Sequence, residues 1–560
     1  MALVITIIVM FVIVTLITVI FNEGIQALPL ARQSQDFQAA LQAAESGVQD
    51  YINRLDNNTA YYLSQYDSTN PALENDSSGT PTWTTWAAVA GTNVSEWYRY
   101  AVNSTNTAKT GIVYLIVSGA AGQNPATSKS YTVRTIKEGI SLTGFTSFLY
   151  FTDYEIDDPA IVSGFSATVG GKSLTYTQDC LYHAWQYNSY TKAYGPDSTN
   201  CSNYAIDFVS EDTLNGPIFS NDEFHICGAA AFPQGATSAY DQGTAASVAG
   251  STSYGNPGSY DSTCSGTPTF GGTGAQPAGG ADEPFPATNT NLENDLATTN
   301  SGGGCAYAGP VGIVFNNTGT MTVTLPAGST YMSSVLSSSW STSACGTNPT
   351  GSTNGVATVN LPPNGLIYDE NPSSCASSTC DANAYVSGSV NGQVTVGSQN
   401  NITIGCPSTC PSGDTGSLTD ADSLTGTDMI GLSATNYIQL PDSNTYQLGS
   451  QTKTMSTVSN LTIDAAMVAL DHSLWLPGWS SDGTLGTLTL NGSIAQEYRG
   501  PVGAHNSSGT LVDGYSKDYT YDNRLKFQQP PYFTSPTLPN WIDSSFAECN
   551  ATPTPATTTC

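Results

Sequence analysis

Basic residues are what this chain has least of. Lys and Arg together number 14 in 560 residues, against 44 Asp and Glu, and charged residues of either sign make up only 10%. The net charge of −30 therefore reflects missing bases rather than abundant acids. A chain so poor in bases lacks the electrostatic footprint of a broad DNA- or RNA-binding surface, and no nucleic-acid partner is expected. Histidines number four and are scattered singly. The twelve cysteines all lie beyond residue 179, and none shows the paired Cys-x-x-Cys spacing of a structural zinc site. Gly-x-Ser-x-Gly, phosphate-loop and His-Glu-x-x-His signatures are missing too, which removes the commonest hydrolase and metalloprotease readings. A non-enzymatic protein is expected. Its polar surface must be built from Ser, Thr, Asn, Gln and Tyr, as suits a secreted chain.

Charge is wholly missing from one long stretch. Ala2 to Phe21 is aliphatic and aromatic, interrupted only by Thr6, Thr15 and Thr18. About 20 helical residues at about 1.5 Å each span about 30 Å, the thickness of a bilayer core. Within it Leu3, Ile5, Ile8, Val9, Val12, Ile13, Leu16 and Ile20 are the candidate buried side chains of a membrane or filament core. Phe37, Leu41, Ala44, Val48, Tyr51, Ile52 and Leu55 then recur three or four apart, the period of an amphipathic helix. Gly24 and Pro29 lie between the two halves; glycine adds backbone freedom and proline removes an amide donor, so a break is expected between about Asn22 and Leu30.

The segment Met1 to Met10, followed by Gln-Ala-Ala-Glu-Ser-Gly at 42–47, resembles the N-terminus of type IV pilins, in particular the PilX-type pilus-assembly proteins and minor pilins. Phe151–Glu155, Asp212–Asp222, Gly486–Gln496 and Gly514–Arg524, with Pro530-Pro531, resemble segments of large PilX-like surface proteins. The resemblance implies a subunit held in the inner membrane before assembly, then packed among other pilin subunits with its body at the cell surface. A glutamate usual at the fifth position of pilins is replaced by Ile5, which by the same resemblance favours a tip role. No basic leader precedes Met1 in this sequence, so the segment is read as already processed or never processed in that way. An ordinary signal anchor carrying a non-polymerising adhesin or carbohydrate-active protein is the alternative.

The expected fold class is α+β: a long pilin-type helix followed by a β-rich extracellular body stapled by disulfides. Residues 1–56 form the stalk, with 1–21 its membrane segment, and 57–175 a pilin-like β domain. Within the latter, Tyr98–Val102, Ile112–Val117 and Tyr131–Arg134 alternate as strands. Residues 176–304 read as a disulfide-containing loop region, dominated from Gly228 by Gly, Ser, Thr, Ala and Pro. Residues 305–560 return to short strands from Tyr385 to Leu490, expected to stack as a β-solenoid, with a β-sandwich the competing arrangement. In an exported chain the cysteines are expected to pair in sequence order: Cys180 with Cys201, Cys227 with Cys264, Cys305 with Cys345, Cys375 with Cys380, Cys406 with Cys410, Cys549 with Cys560.

Asp153, Glu155, Asp157 and Asp158 form an acidic cluster, read first as a solvated turn and second as a loop holding structural calcium. No other cofactor is expected. Asp414, Asp420, Asp422 and Asp428 are read the same way, and Asp471-His472 closes a strand-like run. Tyr182, Trp185, Tyr187, Tyr190 and Tyr194 cluster between Cys180 and Cys201, as a small aromatic core or a contact surface. Asn-x-Ser/Thr sequons, Asn93, Asn316, Asn401, Asn460 and Asn491 among them, are about as frequent as chance gives in a chain this rich in Asn, Ser and Thr, so they carry no argument for glycosylation.

Overall fold

The computed structural model describes residues 2–549 apart from 108–111, 240–252, 261–265, 272–276, 297–302, 326–354, 372–380, 407–414, 535–539 and stretches of one to three residues. Contacts divide the chain into two units, Met1–Leu142 with Asn540–Cys560, and Thr143–Pro539. The C-terminal strand thus joins the first unit, and the second continues across the boundaries expected at 175 and 304.

Helix α1 (Ala2–Asn57) dominates the first unit. At about 1.5 Å per residue its 56 residues extend about 84 Å. Its second half behaves as the apolar spacing predicts: Ala40, Ala43, Ala44, Val48, Tyr51, Ile52 and Leu55 are buried. They pack on a sheet ordered β1 (Ala87–Ala88), β2 (Glu96–Asn103), β3 (Ile112–Gly122), β4 (Tyr131–Thr143) and the strand Asn540–Glu548. The pairings from β1 to β4 are antiparallel. Val48, Tyr51 and Leu55 share a core with Tyr100, Val113, Leu115, Val117, Ile136, Ile140 and Trp541. Gly119 lets the helix backbone approach the sheet, since a Cβ there would lie 2.1 Å from the Ala40 carbonyl oxygen. Asp50 ties the two together, accepting from Tyr100 Oη at 2.6 Å and from Arg54 Nε at 3.0 Å.

The expected break between Asn22 and Leu30 does not occur, because α1 runs continuously through Gly24 and Pro29. A proline removes one amide donor and costs about 3 kcal/mol in a helix interior, but its φ is helical. With many intact turns on either side, that cost does not separate the halves.

In the second unit one 23-stranded sheet contains most strands, and nearly all its pairings are parallel. A single line of register runs through Ala306, Tyr368, Gly397, Ser433, Val468, Ala495, Phe151, Phe219, Thr237 and Ala278, each beside the next on a parallel strand. A second line joins Ala384–Val390, Ile402–Ile404, Ile438–Gln439 and Leu474–Trp475. Such strands are buried on stacking and read as near-continuous apolar runs, as Met429–Ala434 does with all six residues buried. Like residues meet on neighbouring parallel strands, with Phe151 stacked on Phe219 at 5.1 Å and Phe232 on Phe270 at 4.9 Å. Parallel pairing differs from the antiparallel sheets of a β-sandwich. The glycine-rich stretch from Gly228, expected as loops, contributes the short strands Ala231–Phe232, Thr237–Ser238, Thr269–Phe270 and Ala278–Gly279. Strands this short need few large side chains, so composition hides them.

The order of the strands in the sheet does not follow the order of the chain. The strand Thr484–Arg499 pairs with β5 (Tyr150–Asp157), so the end of the later series meets the beginning of the earlier one. Described residues between Ala278 and Cys305 pack against these strands. Phe285 packs on Phe145 and Phe151 at 4.6 and 5.2 Å, and Asn289 Nδ2 donates to the carbonyls of Ser398 and Ser433. Leu292 and Leu296 finish against Leu366 and Tyr368.

Cys180 and Cys201 form a disulfide with Cα atoms 5.4 Å apart, the pairing expected from sequence order. Cys227, Cys305, Cys406 and Cys549 are also disulfide-bonded. Cys264, Cys345, Cys375, Cys380, Cys410 and Cys560 lie outside the described residues, and with them the remaining expected pairings.

Candidate functional site

Two features stand out, one in each unit. The first is the leading half of α1. Ala2–Ile20 has a mean hydropathy of 3.2, and none of it is buried by the other described residues. Leu3, Ile5, Ile8, Val9, Val12, Ile13, Leu16 and Ile20 are exposed by 48–76%. Thr6, Thr15 and Thr18 return their hydroxyl hydrogens to backbone carbonyls one turn back, at 2.7–2.9 Å. The only polar side chains in the segment are therefore internally satisfied, and the whole circumference is suited to an apolar surrounding. Length and composition of this kind fit a membrane anchor or a signal segment.

The second feature lies along β5 and its neighbours. The four acids singled out in the sequence do not share one ligand set, because each is engaged differently. Asp153 Oδ1 meets His183 Nε2 at 3.1 Å and accepts from Asn221 Nδ2 at 2.7 Å. The register irregularity between Tyr498 and Arg499 re-aims the chain there. Glu155 is fully buried and paired with Arg499 Nη1 at 3.1 Å. Asp158 is also buried and meets His472 Nδ1 at 2.7 Å. Burial, reinforced by Asp158, pushes the Asp157 carboxyl up to about 7.

Around these acids, aromatic rings stack along two neighbouring rows. Tyr154 lies against His183, with centroids 4.1 Å apart and planes 5° from parallel, and against Tyr498 at 5.4 Å. Tyr437 stacks on His472 at 4.3 Å and sits 5.4 Å from Trp475. Glu497 stands beside Asp153 in the parallel register, since its neighbours Gln496 and Tyr498 pair with Thr152 and Tyr154. Burial, with the charges of Asp153 and Asp471 next in weight, raises its carboxyl to about 8. Burial works against the His183 imidazolium, yet the hydrogen bond to Asp153 and the charge of Asp222 outweigh it and raise its pKa. The flank therefore brings together flat rings, carboxyls whose pKa values burial raises, and an imidazole whose pKa is raised by Asp153 and Asp222.

Other sequence candidates separate cleanly. Asp420 pairs with Arg524, Asp422 accepts the Thr427 amide within its own turn, Asp428 accepts the amides of Asp422 and of the distant Gly392, and Asp414 lies outside the described residues. Tyr187, Tyr190 and Tyr194 are exposed by 46–53%; the aromatic core beside Cys180–Cys201 is instead made by Tyr176, Tyr204 and Phe165. Trp185 lies outside the described residues. The cluster of Asp179 with Cys180 and Cys201 has its two sulfurs in a disulfide, which removes them as metal ligands. Glu497, Tyr498, Tyr437 and His183 were missed as functional candidates because only the strand register brings them together; the Asp471-His472 pair was the one local signal.

Comparison with known protein families, with curated proteins and with solved structures returns no match.

Proposed function

We propose that this chain is a structural subunit of a type IV pilus-like extracellular filament. Within it the leading half of α1 packs among the helices of other subunits, and the β-rich body faces outward for adhesion or surface contact. The observation that carries this reading is the division of one continuous helix. Ala40 to Leu55 is covered by its own sheet, whereas Leu3 to Ile20 is covered by none of the described residues. Burying one such aliphatic side chain is worth about 1.5–3 kcal/mol, so eight of them strongly favour any apolar cover. Lipid supplies it before assembly, and neighbouring stalks supply it afterwards. An antiparallel sheet on the amphipathic half of a stalk is the arrangement the N-terminal resemblance implies. On this reading the parallel ladders of the second unit are the rungs of a β-solenoid, an extended body that projects from the shaft or tip.

A second reading, an anchored and non-polymerising glycan-binding protein, is favoured by the Tyr154–His183–Tyr498 and Tyr437–His472 stacks beside Glu497. Ile13→Asp separates the two. One carboxylate costs about 2.5–3.5 kcal/mol at a membrane-helix centre, which a segment this apolar absorbs, so the variant still fractionates with the membrane. Among packed stalks the same carboxylate is buried unpaired, and filaments should be lost. Filaments that persist with Ile13→Asp would sink the packed-stalk reading.

A further inference from the structure

The buried pair Lys517 and Asp212 has no part in the reading above. It lies where the earlier and later strand series meet: Thr213 to Asn215 pair in parallel with Asp518 to Thr520, which places Lys517 beside Asp212 on adjacent strands. Lys517 Nζ is 2.8 Å from Asp212 Oδ2; the lysine side chain is 12% exposed and the aspartate not at all. Asp212 Oδ2 also accepts from the Val209 amide at 3.1 Å, while Oδ1 is buried and finds no partner among the described residues. Tyr150, Phe208, Arg499, Lys517 and Tyr519 line a cavity of about 20 Å³, measured as the space open to the centre of a water-sized sphere. That is room for one water.

We propose that Lys517 and Asp212 are joined by an intramolecular isopeptide bond, making this seam a covalent modification site. Burial weakens the lysine ammonium, and Arg499 nearby adds a repelling charge, against the pull of Asp212. Taking two charges out of water is costly, so a buried pair in contact is a place where condensation to a neutral amide removes both charges at once. The proton passes along the 2.8 Å contact from Nζ to the carboxylate, and the amine lone pair adds to Cγ. Collapse of the tetrahedral centre breaks one C–O bond. Oδ1 leaves as water with two of the three ammonium protons, the one first taken at Oδ2 being passed on to it and the second coming from the attacking nitrogen, which keeps the third hydrogen in the new amide. No electrons are exchanged. The product keeps one oxygen for the Val209 amide and loses the other, so the orphaned Oδ1 is disposed of. The bond would tie residues 305 positions apart at the place where the strand order departs from the chain order.

Mass spectrometry of the purified full-length chain, denatured and with disulfides reduced, tests this directly. The expected result is a mass lower than the sequence by one water. A tryptic digest should then yield a branched peptide linking the Asp212 and Lys517 segments, with no cleavage after Lys517. Lys517→Arg keeps the charge and should restore the full mass. A native chain of full mass, cleaved after Lys517 with both peptides recovered separately, overturns the proposal. So does a water deficit that localises elsewhere, for example to a succinimide at Asp513-Gly514 or Asp482-Gly483.

Discussion

Gly119 is where a single methyl group should do the most damage to the stalk. A Cβ built there would sit 2.1 Å from Ala40 O and 2.3 Å from Ala44 N, both backbone atoms of α1. Neither can rotate away, so helix and strand must separate by about 1 Å, and a gap of that size forfeits about a quarter to a half of each dispersion contact across it. The facing residues Ala40, Ala43, Ala44, Val48 and Tyr51 are all buried, so the loss is shared along the interface. Overpacking of this kind costs about 1–3 kcal/mol, and replacing a strand glycine returns about 0.5–1 kcal/mol of backbone entropy. Gly119→Ala should therefore destabilise the first unit by about 1 kcal/mol, and by up to about 2.5 kcal/mol if the backbones resist separation. Gly47→Ala provides the comparison, because its Cβ meets side-chain rather than backbone atoms, Val117 Cγ1 at 2.8 Å and Tyr98 Cδ2 at 3.0 Å. Alanine also favours a helix over glycine by about 1 kcal/mol, so that variant should lie within about 1 kcal/mol of the parent. Urea unfolding of the full chain in detergent, followed by hydrogen exchange at β2–β4 amides, measures both. Equal stability of the two variants would refute the backbone-contact argument.

In the second unit, Arg499→Met strands the buried Glu155 carboxylate and should cost about 3–5 kcal/mol, read as a lower denaturation midpoint. Adding Glu155→Gln should recover part of it, and a cost under about 1 kcal/mol would show the pair to be screened by solvent. The pH dependence has a fixed sign. Glu497, raised from 4.5 to about 8, and Asp157, raised from 3.8 to about 7, both bind protons more tightly folded than unfolded. Their contribution to stability is complete below pH about 4 and is lost as pH rises through about 7–8. Thermal midpoints should fall across that window, and Glu497→Gln should flatten the slope; a midpoint that rises with pH contradicts the assignment.

Local periodicity made much of the architecture readable. Apolar residues three or four apart marked the packed half of α1 down to Leu55, and alternation marked β2, β3 and β4. Runs such as Gln393–Val396 and Met429–Leu432 marked strands to within two residues of Gln393–Ser398 and Met429–Ala434. Continuity through Pro29 was not readable, because local propensity gives the cost of one lost hydrogen bond but not what the flanking turns contribute. Long-range register escaped altogether. Nothing in Phe151 or Ala495 announces that they are neighbours, and nothing in Trp541 announces a place under α1. The acids of β5 were found as a cluster by their spacing, yet their partners Arg499 and His472 lie more than 300 residues away, and only the fold assigns them.

Electron microscopy of sheared surface material, with gold-labelled antibody raised against residues 143–539, tests the central claim most directly. A filament subunit predicts gold along filaments or at their ends, the two patterns separating shaft from tip. Gold confined to membrane fragments, with filaments unlabelled or missing, would contradict the account and leave an anchored surface protein in its place.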